Sequence, residues 1–303
     1  MSKVILVTGA TGKQGGAVIK SLLSSPTKYN ILAVTRDPSS SSAQKLAAKS
    51  PSVKPIKGDL NDVPSLFAAA KEVSSEPIWG VYSVQISQGK GASHEGEIRQ
   101  GISLVDESIK NSVKHFVYSS VDRGGESKSW ENETPIPHFQ TKHKIEHHLR
   151  DNAGAMSWTI LRPAAFMDNL TPEFQSKVFL AALTNKMGDK KLQWVATEDI
   201  GAFAAKSFDN PEEWNHKAIS LAGDELNAAE VSRAIQNTTG TPFKATFSIL
   251  GSALMWAMKE FDHMISWFAA EGYGADIQQL RKIHPGLKDM ESWLKETSDF
   301  DTK

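Results

Sequence analysis

The sequence predicts an α/β protein built on a doubly wound parallel sheet, with a smaller, mainly helical C-terminal lobe. Three observations predict it. Short β-branched runs alternate with helical patterns up to Arg162, the rhythm of βαβ units around a parallel sheet. The glycine-rich turn "VTGATGKQGG" joins the first run to the first helical stretch. After Arg162 the alternation lapses, and from Asn227 onward the pattern is mainly helical and rich in Trp and Met.

Taken in order, the strand candidates are residues 4–8, 30–35, 53–57, 80–84, 115–119 and 157–161. Between them, residues 14–23, 42–48, 63–70, 95–110 and 138–151 carry apolar side chains at helical spacing. Because such crossovers are right-handed, helices cover both faces and the carboxyl ends of the strands share one edge, where ligand is expected. Residues 192–195 and 218–221 read as later strands that partly return to the sheet, separated by a helix at 199–207. The connection 121–137 exceeds the usual length and is either a lid or disordered. The apolar stretch "FSILGSALMWAM" meets Lys259, Glu260 and Asp262 at once, well short of the ~20 residues a bilayer span needs. With Leu254, Trp256, Met258, Phe261, Met264, Ile265, Trp267 and Phe268 it reads as an amphipathic helix, set in a core or lining an apolar ligand or partner.

Composition removes several function classes. With 303 residues, 40% apolar and 23% charged, the chain has the profile of a soluble globular protein with one large core or two modest ones. Lys+Arg number 34 against 35 Asp+Glu, and no basic run is present to neutralise a phosphate backbone, so direct nucleic-acid binding is not expected. The lack of cysteine excludes thiol catalysis, disulfides and Cys-ligated zinc, and it suits a reducing compartment. The start "MSKVILVTG" enters a strand pattern at Val4, so no signal peptide is expected. Cytoplasm or nucleus is the expected location, with no membrane association.

The glycine turn carries the first chemical expectation. Gly9, Gly12 and Gly15 stand as GxxGxxG between the first strand and the first helix. There Gly9 permits a tight turn, Gly12 lets backbone approach a pyrophosphate, Gly15 lets the helix pack closely, and the helix N-terminus offers unpaired N–H groups. Thr11, Lys13 and Gln14 complete the candidate dinucleotide loop. "AVTRDP" then ends the second strand with Arg36 where an acid normally takes the ribose hydroxyls. A guanidinium there pairs with a 2′-phosphate, so NADP(H) is the expected cofactor. Lys13, Ser39 and Ser40 are candidates for the same phosphate, whereas Asp37 competes by suiting a ribose. Asp59 and Leu60 follow the third strand near the expected adenine, with Asp59 equally suited to cap the next helix. Val84 and Gln85 end the fourth strand beside the middle of the cofactor.

Together "VTGATGKQGG", "AVTRDP", "KGDLND", "FVYSS", "HFQTKHKIEHHLR", "LRPAAFMDN", "TEDIGAF" and "RKIHPGLKDMESWL" resemble the NmrA-like family, an atypical branch of the short-chain dehydrogenase/reductases, over nearly the whole chain. The resemblance implies an NADP(H)-binding Rossmann domain and a small second lobe, often with a role in redox-dependent regulation of transcription or signalling partners. On that basis residues 1–162, with returning segments at about 192–222, form the NADP-binding domain. Residues 163–191 and 223–303 form the substrate or partner lobe. It also implies that Phe166, Met167, Asp168 and Asn169 follow the sixth strand at the nicotinamide end, Phe166 and Met167 being equally suited to core packing.

Reductases of the wider superfamily place a Tyr-x-x-x-Lys pair after the fifth strand and a serine at that strand's end, the phenol supplying the proton. Here Ser119 or Ser120 matches the serine, Lys142 the lysine, and His138 stands where the tyrosine belongs. His138 is either a substitute proton donor or a polar residue at a helix start, and a neighbouring lysine disfavours its imidazolium. Lys142 remains able to bond the nicotinamide ribose. His143 and His147 share a helix face, yet two lysines crowd them and no further ligand set is present, so no metal is expected. Two functions therefore stand: a redox-sensing regulator of a protein partner such as a transcription factor, put first by the missing tyrosine, and an NADPH-dependent reductase of a small apolar carbonyl or enone.

Overall fold

A computed structural model describes residues 2–302 apart from 87, 88 and 90. The chain divides into two compact units, the first made of residues 1–120, 141–162 and 200–219, the second of 121–140, 163–199 and 220–303.

The first unit follows the alternation expected. In order come β1 (Lys3–Val7), α1 (Lys13–Leu23), β2 (Tyr29–Thr35), α2 (Ser41–Ala47), β3 (Val53–Lys57), α3 (Val63–Val73), β4 (Ile78–Ser83), α4 (His94–Lys110) and β5 (His115–Ser119). After α5 (Lys128–Glu131), which belongs to the second unit, α6 (Pro137–Asn152) leads to β6 (Ser157–Pro163). These six strands pair in parallel in the order 3-2-1-4-5-6. Residues such as Ile5, Leu6, Ile31, Val81, Phe116 and Ile160 are buried on consecutive strands, because a parallel sheet covered on both faces needs apolar side chains pointing both ways. The helices are cut by local chemistry: the Ser40, Asp62 and Ser93 side chains cap α2, α3 and α4. Helix α3 buries Val63, Leu66, Phe67 and Ala70, one stripe at helical spacing. The strand order reverses between β1 and β4, which opens the carboxyl edge at that point.

After β7 (Ala165–Phe166) come a 3₁₀ turn (Met167–Asn169), α7 (Phe174–Met187), β8 (Leu192–Val195), α8 (Thr197–Asp209), α9 (Pro211–Trp214), β9 (Lys217–Leu221) and β10 (Asp224–Leu226). Residues 218–221 do reach the main sheet, as β9 beside β6. Residues 192–195 do not: β8 lies between β7 and β10 in a separate three-stranded sheet. Trp194 on β8 is fully buried, and its indole N–H donates to the Leu226 carbonyl at 3.1 Å.

The chain closes with α10 (Ala228–Thr239), α11 (Ser248–Ala257), α12 (Lys259–Ala270), α13 (Ile277–Ile283) and α14 (Met290–Glu296). The expected amphipathic helix is two helices broken at Met258. Ile265, Trp267 and Phe268 enter the core of the second unit, whereas Trp256 is 86% exposed and Met258 52%. Helix α11 crosses α7 at Gly251, where a Cβ would sit 2.6 Å from the Ala182 nitrogen. Among the described residues no helix is long and apolar enough to cross a membrane.

The connection 121–137 is not disordered: it holds the short helix α5 and buried polar side chains. Buried Asp122 accepts bonds from Gly125 N, Ser129 Oγ and Ser220 Oγ through Oδ1 and from Gly274 N through Oδ2 at 2.6 Å. Arg123, also fully buried, donates to the Val121 and Ser129 carbonyls. A carboxylate and a guanidinium hidden in a short segment need such partners, and meeting that need pins the loop within the second unit.

Candidate functional site

At the reversal point of the first unit, Thr8 ties β1 to β4. Its hydroxyl meets the Tyr82 and Val84 carbonyls and accepts from Val84 N at 2.8 Å. The next residue, Gly9, has φ +59°, and a Cβ there would lie 2.7 Å from Val84. Gly12 N donates to Gly9 O at 2.9 Å, closing the turn. A Cβ on Gly15 would fall 2.3 Å from Gly9 O, so only glycine lets α1 begin this close to the turn. Gly12 is the N-cap of α1, with no side-chain cap and no acid in the first turn. The first-turn amides and the positive end of the helix dipole are thus left for an anion.

Gln14 in that first turn joins three elements. Its side-chain oxygen accepts from Ser119 Oγ at 2.6 Å and from Tyr82 Oη at 3.2 Å. Burial pushes the Tyr82 phenol above its usual range, so it remains a donor. Ser119 is therefore occupied in holding β5 to α1, and Ser120, also buried, bonds through its amide to Leu161 O. Gln85 donates from Nε2 to Ser83 Oγ at 2.9 Å, while its buried Oε1 finds no donor among the described residues. A buried carbonyl without a donor is costly, and Oε1 has the chemistry to accept from a ligand hydroxyl or amide.

Around the adenosine end, Arg36 is exposed, with no ion pair among the described residues. Asp37, beside it, is exposed and engaged through one oxygen. Its carboxylate folds back on Ser39, accepting from the amide at 2.9 Å and from the hydroxyl at 2.6 Å. Those bonds, the hydroxyl first, hold it below the usual carboxylate range. Ser39 is thereby committed to Asp37, and Ser40 caps α2. Asp59 is not the cap of α3; Asp62 is, through Ser65. Asp59 instead accepts from Asn61 N and Nδ2, both at 2.9 Å, and stays exposed beside half-buried Leu60.

The lysine of α6 has a partner that sequence reasoning missed. Lys142 Nζ donates to Glu97 Oε1 at 2.6 Å, and Thr141 Oγ1 donates to Glu97 Oε2. The Glu97 side chain is fully buried on α4 and that of Lys142 is 15% exposed. A signal was present: Glu97 shares the spacing of Gly101, Leu104 and Ser108, the buried stripe of α4, where an acid must have a cation. Where Gly101 lacks a side chain, Ile145 fills the space and brings α4 and α6 together. One turn on, Glu146 takes the Arg162 guanidinium at 2.7 to 3.2 Å, both side chains fully buried. In a crossover between parallel strands the helix starts at the carboxyl edge, so the second turn of α6, with Lys142, lies on the edge that bears the glycine turn.

His138 and residues 166–169 belong to the second unit. His138 Nδ1 lies 2.6 Å from Glu260 Oε1, and the ring packs edge-on against Phe139 at 4.8 Å. His138 at the helix start thus pairs with Glu260, as Lys142 pairs with Glu97. Phe166 is half-buried on β7, Met167 fully buried, and Asn169 exposed; Asp168 accepts from Thr197 N and Oγ1. His147 Nδ1 lies 3.2 Å from an Arg150 donor, and His148 meets Asp106 at 2.7 Å.

Two features fit a dinucleotide: a glycine cradle that any Cβ would fill, and the orphaned Gln85 oxygen. A model of the NmrA-like family matches residues 1–294. An NmrA-like family domain-containing oxidoreductase of Aspergillus hancockii is 30% identical over 268 residues, 83% of this chain and 76% of its own length. Among solved structures, NmrA, a negative transcriptional regulator, in complex with NAD, is similar with a TM-score of 0.72 at 19% identity, over 98% of this chain and 95% of that one. Citrobacter sp. triphenylmethane reductase complexed with NADP(H) gives a TM-score of 0.69 at 20% identity, over 97% and 99%.

Proposed function

Because the chain belongs to the NmrA-like family, we propose that it binds NADP(H) along the carboxyl edge of its first unit and reduces a small apolar carbonyl or enone. The glycine cradle opening onto the uncapped start of α1 carries this reading. Arg36 would take the 2′-phosphate, and Gln85 Oε1 would accept from the ligand deeper in the cleft. The bound cofactor would supply a hydride. The chain's own part is to hold a hydrogen-bond donor, Lys142, where a nicotinamide ribose or a reduced oxygen needs one, with the proton coming from the ammonium or an ordered water. The oxidoreductase name of the Aspergillus hancockii relative supports reduction over sensing.

A second reading, a redox-sensing regulator, draws on His138 in place of tyrosine and on its pairing with Glu260. The name of NmrA as a negative transcriptional regulator favours it, as do Phe247 and Trp256, exposed at 79% and 86% and suited to a protein partner. Titrating NADPH and then assaying a carbonyl and enone panel separates the two. Sustained NADPH oxidation abolished by Lys142→Ala upholds the reductase. Tight binding without turnover, accompanied by a change in molecular mass, upholds the regulator, and no binding contradicts both.

A further inference from the structure

We infer that Glu97 is a positioning residue: through its pair with Lys142 it sets the direction of the ammonium toward the nicotinamide half of the cofactor. The inference rests on the NADP(H) reading and adds a residue to it. Three observations on the page carry it. The Glu97 carboxylate is fully buried, with both oxygens in use, one by Lys142 Nζ at 2.6 Å and the other by the Thr141 hydroxyl. Thr141 therefore fixes the carboxylate plane, and the plane fixes the lysine. Secondly, the surrounding stripe of α4 is Gly101, Leu104 and Val105, which an apolar residue at 97 would continue; a buried ion pair is weak support for stability compared with such packing. Thirdly, an ammonium has three protons to donate. Glu97 takes one, and the partly exposed side of Lys142 keeps donors for a ligand. A lysine otherwise carries a flexible four-carbon stem, and holding it in advance removes the ordering cost that a ligand would meet on binding.

The test measures affinity, not turnover. Calorimetry compares NADPH with 2′,5′-ADP, which lacks the nicotinamide half, for wild type, Glu97→Gln, Lys142→Ala, the double variant and Thr141→Val. Glu97→Gln is expected to weaken NADPH about tenfold while 2′,5′-ADP stays within about twofold, and to add nothing once Lys142 is alanine, the signature of two residues acting as one. Thr141→Val, which leaves the ion pair intact, is expected to weaken NADPH by about threefold and serves if Glu97→Gln does not fold. Equal loss for both nucleotides, or the same loss in the Lys142→Ala background, shows a structural role and overturns the inference. Wild-type binding with unaffected variants overturns it alone, whereas a wild type that binds neither nucleotide removes the NADP(H) reading along with it.

Discussion

Arg36 stands exposed after β2 while its neighbour Asp37 is folded onto Ser39. Both bonds fall on Oδ1, so one carboxylate oxygen is engaged before any nucleotide binds. Charge-assisted bonds to a phosphate contribute about 1.5–3 kcal/mol. Arg36→Ala is therefore expected to weaken NADPH by about one to two decades and NADH by less than about threefold, read by calorimetry. Equal losses for both would remove the 2′-phosphate role. The glycines were legible because each answers to a local requirement, the geometry of one turn. The pairing of Glu97 was not, because it depends on Lys142, 45 residues away. The cap of α3 is Asp62, three residues beyond the expected Asp59, a difference that a run of closely spaced Asp and Asn does not settle locally.

Helix α6 is fastened at two points of the first unit, by Lys142 on Glu97 of α4 and by Glu146 on Arg162 of β6. Removing one member of a fully buried pair strands the other charge, at about 3–5 kcal/mol, whereas replacing both with apolar residues of similar volume is often near neutral. Urea unfolding is expected to show Glu146→Ala destabilised by that amount and Glu146→Leu/Arg162→Met by under about half of it; equal losses would mean that the pair is not the source. At this scale the strands and helices of the first unit were readable from β-branched runs and apolar spacing, which act within a few residues. The pairing of residues 192–195 was not. β8 looks locally like any returning strand, and its place is decided by β7 and β10, of two and three residues, too short to show a period of their own.

For the molecule as a whole, pH exposes a buried group that no binding argument uses. His115 on β5 lies among Trp79, Phe208, Ser157 Oγ and Thr159. Burial, with Lys3 adding to it, pushes its pKa from 6.5 down to about 3. Above 6.5 both folded and unfolded chains hold a neutral ring. Between 6.5 and about 3 only the unfolded chain gains the proton, so stability falls as pH falls through that window. Asp199, raised by burial, acts in the opposite sense over its own range. Comparing wild type with His115→Gln isolates the histidine: between pH 7 and 4.5 wild type is expected to lose about 3 kcal/mol more in urea unfolding. Parallel losses would place a charged ring in the core. The central claim concerns the start of α1, and a crystal structure grown with saturating NADPH tests it most directly. The account predicts pyrophosphate oxygens bonded to the backbone amides that follow Gly12, with the 2′-phosphate against Arg36. A diphosphate lodged on any other element, or no nucleotide at all, would contradict it.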